Sequence, residues 1–248
     1  MIFAGFKSDR GKRRQNNEDS CFVMPKEQVY IVADGVGGEN GGETASSLAV
    51  SSIAQCVKEK KLHKMKDQEE ICFTIKECVE FANRKIINYA QKHEENIGMA
   101  TTLVLCCIKD DKAYFANAGD SRAYIFRGGE LFQITEDHSV VSTLLKKGAI
   151  SQEEAARHEN KNMITKALGA ENQVNADYYQ TDIKPGDVVL LCTDGLYNEV
   201  PEDEIKMAIK EIDNMNNLAE ILIKMANYHG GGDNVTAVCL KVEGGDFQ

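Results

Sequence analysis

Val29-Tyr30-Ile31-Val32-Ala33-Asp34-Gly35-Val36-Gly37-Gly38 decides how this chain is read, because an unbroken apolar run stops at a single carboxylate. A strand buried on both faces gives such a run, and the glycines after Asp34 let the backbone turn sharply and approach a ligand closely. The pattern returns at Val188 to Thr193, which delivers Asp194-Gly195. It appears in reverse at Gly230-Gly231-Gly232-Asp233-Asn234, which leads into the apolar run Val235 to Leu240. Three carboxylates on glycine-flanked strand ends suggest a hard-cation site. Mg2+ and Mn2+ favour oxygen ligands and retain several waters.

The rest of the composition agrees. The chain's 248 residues, 42% of them hydrophobic, suffice for one domain with a sizeable core. With 29 basic and 39 acidic residues the formal net charge is −10, which disfavours nucleic acid or an anionic membrane surface as partner and suits metal cations. The eight cysteines contain no C-x-x-C pair and fall mostly inside apolar patterns, as free thiols in a reducing compartment would. Five scattered histidines argue against zinc. Neither a Walker-type loop nor a G-x-S-x-G elbow is present. The first residues lack a signal-peptide pattern and no run approaches the ~20 apolar residues of a membrane span, so a soluble, cytoplasmic protein is expected.

Outward from Asp34, residues 2 to 7 form a first strand. Ser8 to Asp19 is a wholly polar loop of both signs that could present an Arg and an acid together, and Cys21 to Met24 is a second strand. Gly35 to Gly42 reads as a loop. Amphipathic helices follow over Glu43 to Lys60 and roughly Gln68 to His93. The short β-rich runs Thr101 to Ile108, Lys112 to Asn117, Arg122 to Phe126 and Leu131 to Ile134 look like a meander, turning at Asp110-Asp111 and Gly128-Gly129. Asp120, in Gly119-Asp120-Ser121-Arg122, fits either a tight turn or a carboxylate on an exposed corner. Residues 139 to 170 form a polar, weakly core-like helical insert, with a capping box at Ser151 to Glu154. Helices at Pro201 to Ile212 and Asn216 to Tyr228 and a last strand from Val235 to Val242 complete a layered β-sandwich with helices outside.

These motifs, in this order and over essentially the whole chain, resemble the metal-dependent Ser/Thr protein phosphatases, the PPM or type 2C family, in their bacterial single-domain branch. The residues are Ser8-Asp9-Arg10-Gly11, Arg14-Gln15-Asn16-Asn17-Glu18-Asp19, Asp34-Gly35 with Gly37-Gly38, Gly98 to Thr102, Gly119 to Arg122, Thr193 to Leu196 and Asp233 to Thr236. The resemblance implies an α+β fold, a four-layer α-β-β-α sandwich of two mainly antiparallel sheets flanked by helices, with a dinuclear metal site at one end. It implies one domain over residues 1–248, with a mobile flap at about 139–170. By the same carry-over Asp34 bridges two Mn2+ or Mg2+ ions, the Gly35 carbonyl binds one and Asp194 and Asp233 hold the other. Glu18 and Asp19 act through water, and Asp120 helps hold a third ion. Arg14 binds phosphate, Arg13 being its less favoured neighbour.

The implied reaction is hydrolysis of phosphoserine and phosphothreonine in proteins by a metal-activated water. It would reverse a cytoplasmic Ser/Thr kinase in signalling, with that kinase and its substrates as partners and the enzyme a monomer. Val36 stands where better-known relatives carry a histidine, so the general acid is unassigned. A phosphatase of a stress or sporulation regulator and a non-catalytic phosphoprotein binder are the competing readings. The intact acidic set speaks against the second.

Overall fold

The structure, a computed structural model, describes residues 1–244, with residues 38–40 and Ala156 described by their backbone alone. Its strands are β1 (Ile2–Asp9), β2 (Asp19–Met24), β3 (Val29–Val36), β4 (Ala100–Thr101), β5 (Leu103–Lys109), β6 (Lys112–Ala118), β7 (Arg122–Arg127), β8 (Glu130–Gln133), β9 (Asp177–Asp182), β10 (Val188–Cys192) and β11 (Val235–Val242). The helices are α1 (Gly38–Lys60), α2 (Gln68–Ala90), α3 (Val140–Lys146), α4 (Gln152–Arg157), α5 (Asp194–Tyr197), α6 (Glu202–Glu211) and α7 (Met215–His229).

Two antiparallel sheets stack face to face. One runs β1-β11-β10-β7-β8, the other β2-β3-β5-β6-β9 with β4 pairing to β3. Helices α1 and α2 cover the second sheet, and α7 lies along β1 and β11 of the first. Each of the three interfaces has its own apolar cluster. Ile53, Ile75 and Leu105 lie under α1 and α2; Tyr30, Phe115 and Leu191 fill the space between the sheets; Leu190, Leu218 and Leu222 lie under α7. The central strands β3, β5 and β10 read as continuous apolar runs because both of their faces are buried. The expected four-layer sandwich is the observed one.

Four expectations are corrected. The β-rich middle is no meander in one sheet: β5 and β6 pair in one sheet, β7 and β8 in the other. The chain crosses between them at Gly119, whose φ of +103° and contact with Thr102, 2.6 Å from where a Cβ would stand, demand glycine. Helix α1 begins at Gly38, inside the stretch expected to be a loop. Its glycines sacrifice helix propensity for closeness, since a Cβ on Gly42 would stand 2.4 Å from the Glu18 carboxylate and 2.8 Å from the Gly35 carbonyl oxygen. Strand β9 was not foreseen; its Asp-Tyr-Tyr-Gln-Thr-Asp is an edge strand of half-exposed residues, without the apolar alternation that marks a strand. Asp19, read as the end of a polar loop, instead opens β2 and is buried.

Candidate metal centre

Antiparallel pairing gathers the acidic strand ends at one end of the sandwich. Asp19 and Asp34 are register partners on β2 and β3, so two carboxylates sit directly opposite each other, an arrangement that costs stability in an ordinary sheet. In the other sheet, the register of β1 with β11 (Asp9↔Val235) and of β10 with β11 (Cys192↔Ala237) brings Asp233, just before β11, beside Asp194, just after β10. A cleft of about 370 Å3 opens there, lined by Arg14, Glu18, Asp34, Gly35, Val36, Thr102, Asp120, Asp194, Asp233 and Asn234, with Asn162 and Ile164 from the 139–170 insert.

Each group is held by its own tether. The Asp34 peptide is clamped by two threonines: its N–H donates to Thr102 Oγ1 (2.9 Å), and its carbonyl accepts from the Thr101 hydroxyl (2.9 Å) and the Thr102 N–H (2.8 Å). Thr102 in turn shares a hydroxyl hydrogen bond of 2.7 Å with Ser121, beside Asp120. Asp19 Oδ2 accepts from Thr193 (2.8 Å) and Thr236 (2.7 Å), which ties β2 to the ends of β10 and β11 in the facing sheet. Asn234 pins the loop between β1 and β2 at three points: its side-chain amide donates to the Arg10 and Asn16 carbonyls, and its Oδ1 accepts from the Glu18 N–H at 2.8 Å. His138 braces the Asp120 turn, accepting from the Gly119 N–H through Nδ1 (3.2 Å) with Nε2 3.0 Å from Asp177. Burial lowers its pKa and favours the neutral ring that this geometry needs.

The electrostatics are those of a carboxylate cluster short of positive charge. Burial, then repulsion from Asp194 and Asp233, outweighs the two threonine hydrogen bonds and pushes Asp19 up to about 7. Burial and then Asp194 raise Asp120 to about 7; burial and then Asp233 raise Asp194 to about 6. Burial drives Asp34 well above the usual carboxylate range, with Asp19, Asp194, Asp120 and Asp233 all adding to the rise. Arg14 is the cation at the rim, 2.7 Å from Asp233, and its side chain is 54% exposed. The family resemblance implied a phosphate contact alone for Arg14. The structure sets it against a predicted metal ligand, where the acidic field is strong.

The residues fit divalent cations. Among the described residues no three His, Cys, Asp or Glu side chains form a ready-closed ligand set. What converges is unspent oxygen: Asp19 Oδ1 and Asp194 Oδ1 are buried without a hydrogen-bond partner. A buried carboxylate oxygen with no donor is costly, and an all-oxygen acidic set is the chemistry that Mg2+ and Mn2+ accept.

A family model described as Protein phosphatase 2C matches residues 9–227. The chain belongs to the protein phosphatase 2C family. It is 37% identical to the serine/threonine phosphatase stp of Listeria innocua over 97% of this chain and 96% of that protein. It is 34% identical to the protein phosphatase PhpP of Streptococcus pneumoniae over 97% of this chain and 98% of that one. Among solved structures it resembles the catalytic domain of the serine/threonine protein phosphatase PstP in complex with two manganese ions, with a TM-score of 0.87, 32% identity and coverage of 98% and 99%. A second structure, PstP/Ppp from Mycobacterium tuberculosis, gives a TM-score of 0.89 at 32% identity, with coverage of 98% and 99%.

In this phosphatase 2C chain seven of the eight residues singled out by sequence share the cleft: Arg14, Glu18, Asp34, Gly35, Asp120, Asp194 and Asp233. Asp19 stands behind it, 7% exposed. Arg13 is exposed and Arg14 lines the cleft. Sequence reasoning missed Asn162 and Ile164, which nothing in residue type marks. It also missed the threonine tethers on Asp19, although Thr193 and Thr236 stood in quoted motifs.

Proposed function

We infer that this chain is a metal-dependent protein-serine/threonine phosphatase, which hydrolyses phosphoserine and phosphothreonine in proteins with two Mn2+ or Mg2+ ions. The observation that carries this reading is the meeting of an unpartnered, buried oxygen of Asp194 with the carboxylates of Asp34, Asp120 and Asp233 and with Arg14 in one cleft. Asp34 would bridge the ions, with the Gly35 carbonyl on one and Asp194 and Asp233 on the other. Glu18 and Asp19 would contribute through water, and Asp120 with Asp194 would hold a third ion. Bound there, the ions supply a Lewis-acid centre that activates water and offsets phosphoryl charge.

The protein's own groups do the rest. Arg14 offers a planar fork of donors to the phosphoryl oxygens, and its pairing with Asp233 aims that fork across the cleft. Thr101 and Thr102 fix the backbone that carries Asp34, while Thr193 and Thr236 fix Asp19, so the negative charge is organised before substrate arrives. Among the described residues no histidine lines the cleft, and Val36 stands 38% exposed at its edge, so the side chain that protonates the leaving alkoxide is unassigned.

We assign residues 1–248 to one phosphatase domain in which 139–170 is a flap, acting as a monomer in the cytoplasm against proteins phosphorylated by a Ser/Thr kinase, the kinase included. Relatives named as serine/threonine phosphatases support the substrate class. Among the described residues no helix is long and apolar enough to cross a membrane. The test is release of phosphate from a phosphothreonine peptide with Mn2+, abolished by chelator and restored by metal. Calorimetric Mn2+ binding without any turnover would favour the non-catalytic binder instead.

A further inference from the structure

A second, larger cavity of about 820 Å3 opens beneath α3 and α4 and runs into the carboxylate cleft, because Asp120, Asn162 and Asp194 line both. Arg14 and Asp233 line the cleft alone, so the cavity leads away from the arginine end. Its floor is an extension of the core between the sheets, where Ile134 and Tyr179 pack against the buried cluster. The roof comes from Val141 and Leu145 on α3.

Several charges around this cavity are spent on one another, while Lys161, Asp120 and Asp194 line it as well. Arg122 donates through Nε (2.9 Å) and Nη2 (2.6 Å) to Asp137, through Nη1 to the Tyr124 hydroxyl (3.0 Å), and lies 3.5 Å from the centre of the Tyr197 ring. Lys146 pairs with Glu136. Among these polar groups stand four side chains with apolar faces, Ile134 and Tyr179 on one side and Val141 and Leu145 on the other. Helix α3 carries Val140, Val141, Leu144 and Leu145 in seven residues, yet none is buried and none joins the three core clusters. All four are half-exposed, and Val141 and Leu145 line the void opposite Ile134 and Tyr179, a small apolar surface outside the packed core.

We propose that this cavity receives the stretch of substrate polypeptide on one side of the phosphorylated residue and seats an aliphatic side chain from it between Ile134 and Tyr179 below and Val141 and Leu145 above. The proposal rests on the reading of the cleft as a phosphoprotein phosphatase site. Its occupant follows from continuity: a phosphate held in the cleft beside Arg14 is covalently attached to a chain that must leave it, and the cavity that shares Asp120, Asn162 and Asp194 with the cleft is a large exit with apolar side chains on two facing walls. An acidic flanking residue meets the carboxylates of Asp120 and Asp194 and finds Arg122 and Lys146 already paired.

Phosphothreonine peptides that differ by one residue, Leu against Asp, at each of the three positions before and after the phosphothreonine test this with Mn2+ and the full chain, alongside an aryl phosphate. A hydrophobic pocket discriminates by about tenfold to a hundredfold. The expected result is that Leu exceeds Asp by about that factor in kcat/KM at positions on one side of the phosphothreonine only. Val141→Asp, or the milder Leu145→Gln should the first fold poorly, is expected to erase that preference with aryl phosphate turnover unchanged. Equal kcat/KM for the whole wild-type series, with aryl phosphate still hydrolysed, overturns the proposal and leaves the phosphatase reading standing. A preference that survives both variants overturns it too. Failure to hydrolyse either the aryl phosphate or any peptide overturns the phosphatase reading, and the proposal with it.

Discussion

The carboxylate end of the sandwich and the 139–170 insert face each other across one cleft, yet they are built on opposite principles. At the carboxylate end the backbone and supporting groups are tethered several times over: the Asp34 peptide is clamped by two threonines, Asp19 Oδ2 by two more from the facing sheet, and Asn234 pins the β1–β2 loop at three points. In the insert, α3 has no buried residue, and α4 is a six-residue helix with a capping box at its start. Charge that must be organised before a reaction is placed on strand ends whose register cannot slip. A surface that meets varied partners is placed where displacement costs little. Removing a tether at the first should therefore damage chemistry; changing the second should alter choice.

The contrast is tested most severely at Asp34. Asp34→Asn removes the negative charge of the group inferred to bridge both ions, and turnover should fall more than about 100-fold while the fold persists, since replacing even outer-shell partners costs 10- to 100-fold. Wild-type rates at saturating Mn2+ would remove the bridging assignment. One step outward, the double variant Thr193→Val, Thr236→Val leaves Asp19 in place but strips both donors from its Oδ2. Mn2+ affinity measured calorimetrically should weaken about 10- to 100-fold. If affinity holds, the tethers serve packing and the tethered end is less exacting than it looks.

Arg14 lies between the two regimes, exposed yet paired to Asp233. Arg14→Ala should raise KM for a phosphopeptide about tenfold, as loss of a charge-assisted phosphate contact does, with Mn2+ binding nearly kept. The same change at Arg13, which does not line the cleft, should do far less. The reverse order would hand the phosphate to Arg13.

Chelated protein offers a gentler probe of the same end. Asp19, Asp120 and Asp194 have folded pKa values of about 7, 7 and 6, raised above the unfolded value near 4, so between those limits the folded state binds more protons. Their contribution to stability is fully present below about pH 4 and is lost as pH rises to about 7. After chelation, therefore, these groups should make the protein melt a few degrees higher at pH 5.5 than at pH 7.5, and the Asp19→Asn variant should narrow that gap. Mn2+ added at pH 7.5 should restore the loss by binding the native state. A melting temperature that rose with pH equally in wild type and variant would contradict the raised values.

Much of this division was legible in the sequence, for physical reasons. Apolar runs ending in Asp-Gly identify buried strands with a functional end at Asp34 and Asp194, and a glycine-rich acidic turn opening such a run marks Asp233, so all three were placed before any coordinates. Asp19 was named through the resemblance but its burial at the start of β2 was not foreseen, because a carboxylate opening a strand looks the same as one closing a polar loop; its partners Thr193 and Thr236 stand 174 and 217 residues away. The meander failed because neighbouring runs read alike whichever sheet they join, and the crossing at Gly119 is settled by a contact with Thr102. Strand β9 carries no apolar alternation; it is recruited by the edge of β6.

The boundary of the insert gives the finest test of the comparison. Composition drew it from Ser139 to Ala170, but Leu168 is fully buried under α1 and α2, and its N–H and carbonyl exchange hydrogen bonds with Thr101 at 2.9 and 3.0 Å. Just before it, the Thr165 N–H donates to the His138 carbonyl at 2.8 Å, and just after it the Gly169 N–H donates to Asn83 Oδ1 at 2.7 Å. Residues 165 to 169 are thus sewn to the sandwich, and the loosely held part ends near Ile164. Hydrogen exchange should show the amides of α3 and α4 exchanging orders of magnitude faster than those of β3, with protection returning abruptly at Thr165, Leu168 and Gly169. Slow exchange throughout 140 to 157 would mean that the helices are packed as firmly as the strands, and the contrast between the two sides of the cleft would fail. Fast exchange that continued through Leu168 would extend the loose region into the backbone partner of Thr101. In that case the clamp on Asp34 would itself be mobile.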